Sequence, residues 1–400
     1  MFFLGIDWAT EKHDLCLLDR TGAILHQLTI SQSHDGFQQL QALVQRYGQE
    51  HVLVNIERSD GLLVDWMLEQ GWAVYVTPAV VAAHRRPRRS KSDPSDAYLL
   101  AYLLYVNDPD CRLVTRSSPS VLYLRELARA LDNTLLDQRR LANRLRYLLN
   151  QYFPAATRLF AHVETLICLA FLEAFPTPQA ARKLSCRLLH QFLKRQKYTF
   201  LSRTEAIYAQ LQQPMPTAMY AEGYVAQVQF LIPQLRQLHH TRVALERQLP
   251  IAFASHPEAA WWRSFPGTRG PLTPARLLAW IGDDRNRFPT AAVLQAVAGT
   301  APVTRRSGKS MRVEFRRACS HPLRKAMDDF ARQSVRYSAW AQEYRTAQLA
   351  RGHSISRANR ALANRWASII WTLWQRREMY DEAIHAANRA QLGMPRLKVS

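Results

Sequence analysis

At 400 residues the chain is too long for one ordinary compact core, so two or three domains are expected, and an apolar share of 48% excludes wholesale disorder. Fifty-three Lys and Arg against 32 Asp and Glu give a formal charge of +21, which points to a polyanionic partner, nucleic acid before any other. The five scattered cysteines (Cys16, Cys111, Cys168, Cys186, Cys319) form no C-x-x-C pair, which excludes a zinc ribbon or disulfide framework and fits a reducing cytoplasm; no apolar run approaches the ~20 residues of a membrane span.

Phe2–Ala9 reads as a buried strand, and Met1–Gly5 runs at once into acidic sequence, unlike a signal peptide. Asp14–Asp19 and Ala23–Ile30 read as the next two strands, joined by the Thr21-Gly22 turn. Residues 36–47 carry helical spacing at Phe37, Leu40, Leu43 and Val44. His51–Ile56 is a fourth strand, Leu62–Glu69 a helix stopped by Gly71, Trp72–Val76 a fifth strand and Ala97–Leu104 a helix. Three hairpin-joined strands followed by βαβα is the element order of a ribonuclease H-like domain, with the last strands parallel through a right-handed crossover.

From residue 113 to 255 the pattern turns helical. Leu124, Leu131, Gln138, Leu145 and Leu127, Thr134, Leu141, Leu148 each recur every seven residues, a coiled-coil stripe with two polar breaks, while Arg139, Arg140, Arg144 and Arg146 line the other faces. A second long helix spans 222–248, and Pro233 is expected to kink or break it. Beyond residue 256, Phe265–Gly270 is a tight turn resembling a helix-hairpin-helix element, Thr273 caps a helix beginning at Pro274 and ended by Gly282, and residues 305–325 carry eight Arg or Lys and one acid. Two helices close the chain, near 322–349 and 354–377, the latter with a core stripe of Ile355, Leu362, Trp366, Ile369 and Leu373. The fold class is therefore α/β plus α, divided at 1–112, 113–255 and 256–400.

Charge separates along the same lines. Residues 1–80 hold four basic and ten acidic side chains, a net of −6, so residues 81–400 carry +27. One part gathers carboxylates and the rest faces a polyanion. Asp7 lies in an apolar strand on the face of Phe3 and Gly5, where a lone carboxylate is costly without a compensating charge. Glu57 ends the fourth strand. Asp93 is a plausible N-cap with Pro94 at the first helical position, and Asp96 follows in the first turn. Acids there complement the helix dipole in any protein, yet two of them three residues apart repel one another. Together the four form an oxygen-only set suited to Mg²⁺ or Mn²⁺, and two such ions roughly 3.5–4 Å apart activate a nucleophile and stabilise a leaving oxygen on phosphorus. Arg85, Arg86, Arg88, Arg89 and Lys91 stand just before the pair, a charge run fit to guide a phosphate backbone.

Gly5-Ile6-Asp7, Glu57 and Lys91-Ser92-Asp93-Pro94-Ser95-Asp96-Ala97 resemble the DEDD signature of the IS-one-ten family of insertion-sequence transposases, relatives of the Piv DNA invertases. Pro266-Gly267-Thr268-Arg269-Gly270, Ile281-Gly282-Asp283, Ala298-Gly299-Thr300-Ala301-Pro302, Ser307-Gly308-Lys309 and Leu323-Arg324 resemble the C-terminal motifs of the same family, in the same order. Arg58-Ser59-Asp60-Gly61 departs from the shorter small-residue turn usual there. The resemblance implies a RuvC-like nuclease domain, a helical connector and a C-terminal transposase domain bearing a nucleophilic serine, Ser307. It further implies a DNA substrate, a noncoding guide RNA, a homo-oligomer (dimer or tetramer), no membrane, and a place in a prokaryotic cytoplasm beside the nucleoid.

On the residues alone, Ser307 is as well explained as a loop serine that meets phosphate among Arg305, Arg306 and Lys309, with Arg316 and Arg317 beyond, and Ser310 and Ser320 compete with it. Two rival readings remain. One is a RuvC-like endonuclease using metal-activated water; the other is a nucleic-acid-binding protein that has kept the fold without the chemistry.

Overall fold

The computed structural model describes residues 1–77, 82, 93–115, 117–214, 218, 220–307 and 310–391. The chain forms two compact units, one of Met1–Ser118, Asp283–Leu294 and Val303–Ala318, the other of Pro119–Gly282, Gln295–Pro302 and Cys319–Ser400.

The first unit is built on a mixed sheet. Its strands are β1 (Phe2–Trp8), β2 (Lys12–Leu18), β3 (Ile24–Ser31), β4 (Val52–Ile56), β5 (Ala73–Val76) and β6 (Arg112–Leu113), in the order β3-β2-β1-β4-β5-β6. β1, β2 and β3 are antiparallel neighbours, β1–β4 and β4–β5 are parallel, and β6 returns antiparallel. Alternation sends Leu4, Ile6, Leu15, Leu17, Val54 and Ile56 to one face, where they are buried with Phe37, Leu40 and Val44 of α1 (His34–Arg46) and Leu63, Val64 and Met67 of α2 (Leu62–Glu69). Ser33 caps α1 by accepting from the Gly36 N–H at 3.2 Å. The opposite face, with Cys16 and Leu18, is covered by Ala97 and Ala101 of α3 (Asp93–Tyr105). That helix begins at Asp93, four residues before the start expected from its apolar run.

In the second unit α4 (Pro119–Tyr152) runs along α8 (Ala221–Ala254), so the heptad stripe finds its partner within the chain. Leu124, Leu127, Leu131, Leu145 and Leu148 are buried, each worth about 1.5–3 kcal/mol, and the polar Thr134 and Gln138 are buried with them. The Thr134 hydroxyl donates a hydrogen bond to the Ala130 carbonyl one turn back at 2.8 Å, which lets a polar side chain sit there. Arg139, Arg140, Arg144 and Arg146 are exposed, as their heptad positions require. Between α4 and α8 lie the shorter α5 (Leu166–Ala174), α6 (Cys186–Arg195) and α7 (Thr204–Gln212), sharing one core with both.

Pro233 does not break α8; Pro250 also lies inside it. Burial of Val228, Leu231, Ile232 and Leu235 on both sides of Pro233 outweighs the lost backbone hydrogen bond. α9 (Leu272–Ile281) starts before Thr273, which donates to the Gln333 side chain at 2.8 Å instead of capping, and Gly282 ends it with φ +91°. The segment expected as one helix near 322–349 is two, α10 (His321–Ser334) and α11 (Ala339–Ala350), because Ser338 starts a new helix by capping Ala341. In α12 (Ile355–Arg376) the buried stripe is Leu362, Trp366, Ile370 and Trp374, while Ile355 is exposed. Among the described residues no helix is long and apolar enough to cross a membrane.

Candidate active site

β1 and β4 lie side by side in parallel with Ile6 level with Ile56, so Asp7 and Glu57 come next at the same end of adjacent strands. Asp7 faces the side of the sheet covered by α3, as Phe3 and Gly5 do. Along that face the helix runs opposite to the strand. The Phe3 and Tyr105 rings meet at 5.8 Å, and a Cβ built on Gly5 would collide with the Ala97 carbonyl oxygen and the Ala101 amide nitrogen. The same progression brings Asp7 level with the first turn of α3, which holds Asp96 and the backbone of Asp93. Asp96 is 3% exposed, and Asp7 and Glu57 are half-buried.

Asn55, two residues before Glu57 and fully buried, holds this arrangement together. Its side-chain amide donates to the Thr77 hydroxyl at 2.9 Å and to the Leu100 carbonyl of α3 at 2.8 Å. A buried amide on β4 bonded both to Thr77, the residue after β5, and to α3 fixes the separation of sheet and helix, because moving either leaves a desolvated polar group. Beyond Asp7 the turn to β2 is pinned by His13, which is fully buried. The imidazole Nδ1 accepts from the Ala9 N–H at 3.4 Å, so Nε2 carries the proton and donates to the Gln32 side chain. Burial lowers the pKa of His13 below its ordinary value. Trp8 stacks on His13 at 6.2 Å and receives the Arg58 guanidinium at 4.2 Å, and Arg58 also pairs with Asp60 at 3.3 Å. The Arg58–Gly61 turn is therefore anchored on the strand end by a cation–π contact.

Sequence reasoning missed one carboxylate. Asp14 of β2 pairs with Asp7 across the antiparallel ladder and accepts from the Thr29 hydroxyl at 2.5 Å. Its signal was the register of the β1–β2 hairpin. Among the described residues no group of three His, Cys, Asp or Glu side chains is arranged to hold a metal ion; the side chain of Asp93 lies outside that description. Carboxylates from β1, β4 and α3 at one end of a sheet are nonetheless the hard oxygen donors that Mg²⁺ or Mn²⁺ takes. Arg85, Arg86, Arg88, Arg89 and Lys91 also lie outside the described residues.

Ser307 is the last residue of β7 (Val303–Ser307), which pairs antiparallel with β8 (Ser310–Glu314) in register Ser307–Ser310. Gly308 and Lys309 lie outside the described residues, as do the side chains of Arg305, Arg306 and Ser307. The stretch expected as a basic loop is thus a β-hairpin, and its residues 303–318 belong to the same compact unit as Asp7, Glu57 and Asp96. Every residue of β8 is exposed, as is Arg317, while Arg316 is half-buried. Ser320 caps α10 by accepting from the Leu323 N–H at 3.4 Å, which accounts for it structurally.

Two family profiles match the chain: a DEDD transposase profile over residues 4–154 and a transposase profile of the IS116/IS110/IS902 family over residues 262–346. The chain is 26% identical to the Streptomyces coelicolor insertion element IS110 43.6 kDa protein, over 96% of both chains. It is 24% identical to the Streptomyces clavuligerus insertion element IS116 44.8 kDa protein, over 95% of this chain and 96% of the relative. A further Streptomyces coelicolor protein, named as the mini-circle transposase for IS117, shares 32% identity over 95% of both chains. With that likeness running from end to end, the chain belongs to the IS110 family of transposases.

Proposed function

We propose that this transposase cuts and rejoins DNA at a divalent-metal site formed by Asp7, Glu57, Asp93 and Asp96, with Ser307 as the nucleophile. The observation that carries the reading is the meeting of β1, β4 and the first turn of α3 at one end of the sheet. The strand order β3-β2-β1-β4-β5 supports a RuvC-like, ribonuclease H-like domain for this part of the chain. Functionally the chain divides into that domain (1–112), a helical connector (113–255) and a transposase domain (256–400).

Bound Mg²⁺ or Mn²⁺ would neutralise charge developing on the phosphate oxygens. The protein's own part is to hold the acids at the strand ends through Asn55 and Gly5 and to present Ser307 at the tip of its hairpin. The serine Oγ attacks the scissile phosphorus, gives up its proton and forms an Oγ–P bond. The P–O bond to the departing sugar oxygen breaks, and that oxygen leaves protonated. Reversal with a different sugar hydroxyl rejoins the strands. Arg305, Arg306, Lys309, Arg316 and Arg317, with the 85–91 run, would neutralise backbone phosphates. The guide RNA rests on the family resemblance and on the +27 carried by residues 81–400, and the homo-oligomer on the resemblance alone.

The test is a cleavage assay on DNA spanning the element's ends, with denaturing gels to trap protein joined to DNA. Asp7→Ala, Glu57→Ala and Asp96→Ala should each abolish metal-dependent cutting. Ser307→Ala should remove the adduct and cutting together. Retained cutting without an adduct would transfer the nucleophile's role to water and make the protein an endonuclease. Wild-type activity in all three acid variants would overturn the metal site. RNA that co-purifies with the protein and maps beside its gene would support guidance.

A further inference from the structure

A concavity lies wholly within the helical unit, lined by none of the four acids. It has a volume of about 660 Å³, the size of a small-ligand site, and is walled by α4, α10 and α12. Arg139, Arg324, Lys325 and Arg332 line it. Two of these cations are already engaged, Lys325 with Asp132 at 2.7 Å and Arg332 with Asp329. Arg139 is exposed at the rim. Such a rim suits phosphate.

The floor is different. Asn359 is 7% exposed, lines the cavity, and has a buried side-chain oxygen with no hydrogen-bond partner. Asp328 lines the same cavity, and its Oδ1 is likewise buried without a partner. Burial pushes the Asp328 carboxyl above its ordinary value, against the opposing pull of the Arg360 and Arg324 charges. Buried acceptors without donors are rare, and each one asks for an N–H or O–H from outside.

We infer that this cavity takes an unpaired guanine nucleotide of a nucleic-acid strand, with its phosphate on the basic rim and its Watson–Crick edge on Asp328 and Asn359. Guanine alone among the common bases offers two adjacent donors on that edge, N1–H and the N2 amino group. Adenine and cytosine offer one amino group beside an acceptor, and uracil or thymine a single N–H. The Arg324 guanidinium, on the same wall, is the natural donor to guanine O6. The inference rests on the nucleic-acid reading above for its partner but not on the metal chemistry.

The experiment measures binding of GMP, IMP and AMP to the purified full-length protein by calorimetry. IMP lacks only the N2 amino group, so the comparison alters the ligand and leaves the protein unchanged. GMP should bind about 10-fold or more tighter than AMP, with IMP between. Asp328→Asn should erase the preference, and Asn359→Asp, which keeps an acceptor, should retain it. Equal binding of the three nucleotides, or none, overturns the inference. Twelve-residue DNA and RNA strands carrying a single guanine in a thymine or uracil background identify the source: a preference in DNA alone assigns the site to substrate, in RNA alone to a guide, and in both to either strand. Asp7→Ala should leave GMP binding unchanged, so failure of the cleavage reading and failure of this one are separable.

Discussion

Gly5→Ala tests whether the sheet–helix contact positions the acids. The added methyl would sit within bonding range of the Ala97 carbonyl oxygen and the Ala101 amide nitrogen. Both are backbone atoms inside α3, so no side chain can rotate to make room, and the helix must lift from β1. Overpacking of this kind costs about 1–3 kcal/mol. In a unit of this size each kcal/mol lowers the Tm by roughly 2–4 °C. The functional loss should exceed the loss of stability. Asp96 is bonded to Ala97, so lifting the helix carries that carboxylate away from Asp7 and Glu57, and a displacement of about 1 Å at a reacting centre costs on the order of 100-fold in rate. The assay pairs thermal melts with metal-dependent cleavage measured well below the Tm. Gly223→Ala is the control, since a Cβ there meets nothing within 4 Å and sits in a helix, where alanine should stabilise by up to about 1 kcal/mol. Wild-type melting and cleavage for Gly5→Ala would refute the claim that this contact sets the position of Asp96.

In the helical unit, Asp132 accepts from Lys325 at 2.7 Å and from Arg276, whose side chain is 12% exposed. Asp132→Ala should cost about 1–3 kcal/mol in a denaturant melt, because it leaves the largely buried Arg276 with only its longer 3.4 Å contact to Asp329, and the double change Asp132→Leu with Arg276→Met should recover part of it. His13 has a folded pKa below its ordinary 6.5, so the unfolded chain takes up the proton first as the pH falls. Its stabilising contribution is complete above pH 6.5 and disappears as the pH drops from there toward the folded pKa. The Tm should therefore fall between pH 7.5 and 5.5, and His13→Gln should flatten that slope. The buried Cys168 thiol is pushed up to about 12, so iodoacetamide at pH 8 should leave it unmodified in the native protein while the half-buried Cys186 reacts, as read by peptide mass spectrometry. Saturating Mg²⁺ should raise the Tm of the unaltered protein, and Glu57→Gln should reduce that rise, because an ion that binds only the folded state stabilises by mass action.

What the sequence disclosed follows the physics of each element. The strands β1, β2 and β4 and the stripe on α4 announce themselves through their apolar residues, and the structure buries most of them, whereas β3 buries only Ile30. The hairpin holding Ser307 has no such signature. Its strands alternate Val303, Arg305, Ser307 against Thr304 and Arg306, and β8 is exposed throughout, so no hydrophobic period marks it. In α12 the spacing fitted Ile369 and Leu373 as well as Ile370 and Trp374, and only packing chooses between faces rotated by one residue. Within the candidate site, Asp7, Glu57 and Asp96 were legible as acids at element ends. Asp14 and Asn55 were not, because their roles depend on strand register and on the depth at which α3 crosses the sheet.

The division of the chain also has a physical logic. The first unit closes on itself only after residues 119–282 have run out into the helical unit and the chain has come back. The entropic cost of such a closure grows with the logarithm of its length, about 4–5 kcal/mol by (3/2)RT ln n for an excursion of this size. A much shorter loop would have cost only slightly less, so a large insert is tolerable provided its two ends are held together. They are held by a hydrogen bond at the base of the excursion. The Ser118 N–H, at the exit, donates to the carboxylate of Asp283, at the return, with 3.1 and 3.3 Å to the two oxygens. Asp283 completes the Ile281-Gly282-Asp283 turn, and Gly282 adopts the positive φ that ends α9 and turns the chain at that point. From there Asp283–Leu294 belongs to the unit that carries the acids, Gln295–Pro302 belongs again to the helical unit, and the Ser307 hairpin lies once more in the first unit. A motif that looks like an isolated turn in the sequence is, in the fold, the point where a helical insert is closed off.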